Sequence, residues 1–177
     1  MTLLKSGILA LGLLATTATV SFAQKCNFDK DEKDEFTNEK VRAVKHKITC
    51  NRAELNWSVL MEQKGANYFM TVENNVYTKI DDVLPKGSKI LLKLENGNIL
   101  SVTTDDDCIP SHKTVQWYII TSWFPKGKLT KEDVTQLSQS KVTSIRMNIG
   151  GKDYNSPSVS GKEGGRIMTS AGCLLSE

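Results

Sequence analysis

Between Val41 and Ile149 apolar and polar side chains mostly alternate, the pattern of strands with one face in a core and one in water. Val44, His46 and Ile48 alternate with Lys45, Lys47 and Thr49. Leu55, Trp57, Val59 and Met61 alternate with Asn56, Ser58 and Glu62. Beyond a turn at Lys64-Gly65, Ala66, Tyr68, Met70 and Val72 alternate with Asn67, Thr71 and Glu73. Asn74-Asn75 reads as a turn, with a short strand over 76–80. Residues 114–124 read as one strand, the most apolar, with Val115, Trp117, Ile119 and Trp123 on its inner face. Residues 142–149 form another, with Ile145, Met147 and Ile149 inward, closed by a turn at Gly150-Gly151.

The register of one hairpin follows from burial. Residues 88–94 and 98–103 flank Glu95-Asn96-Gly97. A two-residue Asn-Gly loop would pair Leu94 with Ile99 and Leu92 with Ser101, mixing apolar and polar on each face. A three-residue loop with Gly97 left-handed pairs Leu94 with Asn98, Leu92 with Leu100 and Ile90 with Val102. A slip of one residue flips a strand's faces, so burial selects the bulged register.

One helix announces itself. Thr130 is an N-cap, Asp133 stands where a capping-box acid belongs, and Leu129 can staple to Val134. Leu137 extends the buried stripe, and the helix spans 130–139. Residues 155–165, rich in Ser, Gly and Pro, read as a loop. After it, Ile167, Ala171 and Leu174 fit a helical face, while Ile167, Thr169, Ala171 and Cys173 fit a strand; a short C-terminal helix is preferred. The expected fold is mainly β: an antiparallel sandwich or strongly curved sheet carrying these helices. Its expected core is Leu55, Trp57, Val59, Tyr68, Met70, Ile90, Leu92, Leu100, Val102, Trp117, Ile119, Val134, Leu137, Ile145 and Met147.

Composition divides the chain of 177 residues in two. Residues 1–23 hold one charge, Lys5, then the apolar run 8–15 and Ser21-Phe22-Ala23. Small residues at 21 and 23 suit a signal peptidase, so cleavage is expected after Ala23 with Gln24 as the new N-terminus. An uncleaved anchor is the alternative, weakened by Gly12 and the Thr/Ser-rich stretch. Residues 24–177 are then one domain with a charged arm over 24–40. Export places Cys26, Cys50, Cys108 and Cys173 where disulfides form; of the three possible pairings Cys26–Cys50 with Cys108–Cys173 is preferred, and a free nucleophilic cysteine is the weaker alternative. No C-x-x-C occurs, against a zinc ribbon or a redox pair.

Charge and motifs exclude more than they assign. A net charge of +3, well mixed, gives no nucleic-acid surface. Asp29–Glu35 is an unbroken charged run that begins like a calcium loop, but Lys33, Asp34 and Lys40 fall where ligands or glycine are required, so it reads as a solvated loop. The consecutive acids Asp105-Asp106-Asp107 read as an acidic turn. The lysines of 40–47 suit an edge strand. Hydrolase, metalloprotease, P-loop and Rossmann signatures are all missing, and Gly161–Gly165 reads as a linker. His46 and His112 have no nucleophile beside them in sequence and read as surface or edge-strand residues. The remaining chemical lead is aromatic. Tyr118 and Phe124 fall opposite Trp117 and are the candidates for surface contact.

Phe28…Phe36-Thr37, the stretch from Lys86 to Gly97, and Leu137…Val142-Thr143-Ser144-Ile145-Arg146 resemble small exported proteins of Bacteroides-type bacteria. The resemblance implies a β-rich fold and a Gram-negative exported setting, and it implies no site residues. The functional expectation is a non-catalytic binding module of the periplasm or cell envelope, without cofactor or metal, recognising a protein or glycan. The alternatives are a small secreted hydrolase with scattered catalytic carboxylates, or a structural envelope component.

Overall fold

The computed structural model describes residues 26–48, 55–156 and 158–176, apart from the side chains of Leu55 and Asn56. The leader, Gln24 and Cys50 lie outside them. Strands β1 (Lys30–Lys33), β2 (Lys40–Ile48), β3 (Leu55–Lys64) and β4 (Asn67–Val76) are followed by β5 (Lys89–Leu94) and β6 (Ile99–Thr103). Then come β7 (Ser111–Val115), β8 (Tyr118–Trp123), β9 (Lys126–Leu129), α1 (Lys131–Gln139), β10 (Val142–Ile149), β11 (Lys152–Asn155) and α2 (Gly161–Leu175). Over the described residues the fold is mainly β, a curled antiparallel half-barrel with two helices.

One sheet runs β1-β2-β3-β4-β8-β7, and β9 also pairs with β4. The outer edge of β4 is thus shared: β8 takes Asn74–Val76 and β9 takes Tyr68–Thr71. The second sheet runs β11-β10-β5-β6, and a bridge from Thr104 to Gly127 joins it to β9. Between the sheets lies one apolar cluster. Trp57, Val59 and Met61 of β3 meet Met70 and Val72 of β4, Ile90, Leu92, Leu100 and Val102 of the β5–β6 hairpin, and Ile145 and Met147 of β10. Val134 and Leu137 of α1 and Ile167, Ala171 and Leu174 of α2 complete it. Each of the larger side chains contributes about 1.5–3 kcal/mol by leaving water.

The β5–β6 hairpin has the bulged register: Leu92 faces Leu100, Ile90 faces Val102, and the Leu94 N–H donates to the Asn98 carbonyl at 2.9 Å. Gly97 sits at φ +90°, as that loop requires. Helix α1 has its full capping box at Thr130 and Asp133.

Four expectations are corrected. Asn74-Asn75 is no turn, because β4 runs through it with Asn74 between Trp57 and Trp123. The charged run is solvated as expected but is not all loop: its middle, Lys30–Lys33, forms an exposed edge strand against Lys40–Ala43, so β2 is not the sheet's edge. The single strand over 114–124 is two strands folded back at Gln116-Trp117, pairing Val115 with Tyr118. That removes Trp117 from the core and leaves Ile119 only half-buried. Finally, the glycine-rich stretch starts α2. Ser160 caps it and Glu163 closes a second capping box, so the C-terminal helix is longer than expected and the linker ends before it.

On the outer face of the half-barrel Glu73 accepts from Lys45 Nζ at 2.8 Å, Ser58 Oγ at 2.6 Å and Asn75 Nδ2 at 3.0 Å. Burial works against its charge, but these donors outweigh it and hold its pKa at about 2, against an ordinary 4.5. A depressed carboxylate pKa stabilises the fold above the unfolded value and loses that contribution as pH falls through the folded one. Glu73→Gln is therefore expected to flatten the stability profile between pH 4.5 and about 2, read by urea denaturation at stepped pH. An unchanged acid limb would discount the cluster.

Candidate functional site

Two places gather chemistry. The first is the tip of the β7–β8 hairpin. Gln116 is held at φ +52°, a left-handed conformation that costs a side-chain-bearing residue about 1–2 kcal/mol. It turns Trp117 outward, 87% exposed. Behind it Tyr118 stands edge-to-face on Tyr77, centroids 5.4 Å apart at 76°. Of the two aromatic candidates from the sequence, Tyr118 is half-buried on this pair, and Phe124 is partly exposed at the far end of β8. The structure does not bring them together, and the most exposed aromatic ring of the three is Trp117, which the sequence assigned to the core.

The second place is a groove of about 570 Å³ between β2 and α2. Its walls are β2, the arm that precedes β1 and one face of α2. Cys26 and Cys173 form a disulfide, tying the N-terminal arm to the last turns of α2. Beside it Arg42, buried in β2, donates through Nη1 to the Ser176 carbonyl, lies 5.1 Å over the Phe28 ring and meets Asp31 at 3.6 Å. Asp29 bends in at the end of β1, its Oδ2 accepting from the Lys45 N–H at 2.6 Å.

The disulfide corrects the expected pairing. Cys26 takes Cys173, and Cys108 is a free, half-buried thiol whose pKa burial raises. The reason is the edge strand: pairing β1 with β2 carries Cys26 alongside α2.

In the groove His46 Nε2 lies 2.7 Å from Ser170 Oγ. Burial lowers the pKa of His46, Asp29 opposes this and Arg166 adds to it. A neutral imidazole on a serine is a base-and-nucleophile arrangement. Ser170 is buried within α2, however, where the helical N–H groups are already committed to backbone carbonyls and offer no oxyanion cradle. Lys45, Lys162 and Arg166 also line the groove. His112 is elsewhere, bonding Thr121 Oγ1 through Nδ1 at 3.1 Å and Asp81 through Nε2 at 3.0 Å, a strap between β7 and the segment after β4.

Sequence reasoning missed the groove because His46 and Ser170 are 124 residues apart. It missed the hairpin tip because Gln116-Trp117 carries none of the usual turn residues. Among the described residues no group of His, Cys, Asp and Glu could hold a metal ion, and no helix is long and apolar enough to cross a membrane. Comparison of the chain with protein-family models, curated proteins and solved structures finds no match.

Proposed function

We propose that the chain is an exported, non-catalytic binding module of the periplasm or cell envelope that engages a protein or glycan through the β7–β8 tip. The observation that carries this is Trp117, a large apolar ring presented to solvent on a turn with a strained residue. Backbone strain of this kind concentrates where chains make contacts, and a tryptophan offers a flat face for a sugar ring or a peptide. The leader pattern, the disulfide and the resemblance to small exported proteins support export. A hydrolase built on the His46–Ser170 pair, a different basis from the scattered carboxylates expected from the sequence, is disfavoured by the helical setting of that serine.

The test is a pull-down from envelope extract paired with a glycan array, comparing the wild type with Trp117→Ala. The wild type should retain a ligand and the variant lose about tenfold or more of it, as a central aromatic anchor does. Because Trp117 is exposed, its removal should leave stability within about 0.5 kcal/mol. Blanks in both assays, or equal retention by both proteins, would overturn the reading.

A further inference from the structure

We propose that the groove between β2 and α2 binds a small oxyanion ligand, a carboxylate or phosphate on a hydroxylated body such as a sugar acid or sugar phosphate, at a site separate from the hairpin tip. Its size of about 570 Å³ falls within the roughly 300–1,000 Å³ of small-molecule sites. Its charge selects the ligand. Lys45 is already held by Glu73 at 2.8 Å, so it counts for little. Lys162 and Arg166 have no carboxylate partner among the described residues. They stand one helical turn apart on the face of α2 that lines the groove, spaced to grip one oxyanion from two sides. Among the described residues Asp29 is the one carboxylate lining the groove, and it is engaged by the Lys45 N–H. With His46 and Ser170 it suits hydroxyl groups on the body of the ligand better than a second negative charge.

The glycines supply an independent observation. Gly161 and Gly165 line the groove, and a Cβ built on either would meet nothing within 4 Å. Neither is needed for packing or for an unusual backbone angle, yet Gly165, inside the helix, lowers its stability. What they do is leave the helix backbone bare on the groove side, so that a ligand can approach between the two cations.

Calorimetric titration of the purified, oxidised protein tests this with glucuronate, glucose 6-phosphate and neutral glucose as probes. At least one charged probe should bind with a Kd of about 1 mM or tighter, weakening with added salt, while glucose does not. The tighter of the two identifies carboxylate or phosphate as the group recognised. Lys162→Gln/Arg166→Gln, on exposed side chains, should weaken binding about tenfold or more. Gly165→Leu should abolish it by filling the groove, with no fall in melting temperature. Trp117→Ala should leave it unchanged, which separates this site from the hairpin tip. Failure of both charged probes to bind, equal binding of glucose, or wild-type affinity in both groove variants would overturn the proposal.

Discussion

Cys173→Ser is expected to lower the unfolding free energy by about 5 kcal/mol, because Cys26–Cys173 closes a loop spanning 147 residues of sequence separation. The stabilisation acts on the unfolded chain: a cross-link between its ends removes many of the conformations that folding must otherwise give up. A loss of that size is comparable to the whole stability of an ordinary domain, roughly 5–15 kcal/mol. Cys26→Ser should cost the same, and the double variant no more than either alone, since one bond is lost in all three. Cys108→Ser is the control. Its thiol is free and half-buried, so its removal should cost far less. Urea denaturation of the four proteins reads the result. A large loss in Cys108→Ser, matching Cys173→Ser, would instead support the pairing of Cys108 with Cys173. The loss in Cys173→Ser should also loosen the groove, because the disulfide and the Arg42 contacts to Ser176 and Phe28 together fix the end of α2 against the arm.

Legibility in this chain followed the range of the forces involved. The β5–β6 register could be read because both strands lie within fifteen residues and only one pairing puts Ile90, Leu92, Leu100 and Val102 on a common buried face. The helix after Thr130 could be read because a capping box is a local event over four residues. The same signal, Ser160 with Glu163, opens α2, and it was available to the same reasoning. The glycines around it masked it, since glycine is a poor helix former in isolation. Trp117 was misplaced for a different reason: period-two alternation counts through a turn as readily as through a strand, and a hairpin folded at Gln116-Trp117 leaves no break in the pattern. The groove was beyond local reasoning altogether. It exists only because β1 pairs with β2 and a disulfide brings the arm to the C-terminal helix.

Gly164→Ala is expected to destabilise the fold by about 2 kcal/mol, although alanine is the better helix former. A Cβ at this position would lie 2.4 Å from the Val142 carbonyl oxygen and 3.2 Å from Lys141 Cβ. The first of these atoms is backbone at the start of β10, where the Glu95 N–H also takes the Lys141 carbonyl, so the strand cannot move aside cheaply. Helix α2 would have to lift from β10 and draw Ile167, Ala171 and Leu174 partly out of the core. Helix propensity returns about 0.5–1 kcal/mol, less than overpacking of this kind costs. Gly165→Ala is the matched comparison, one residue on in the same helix and facing open space. It should gain about 0.5–1 kcal/mol. The opposite signs at adjacent positions, measured by thermal and urea denaturation, distinguish a glycine kept for helix–strand contact from one kept for the groove. A gain at both would mean that α2 does not pack against β10 this closely.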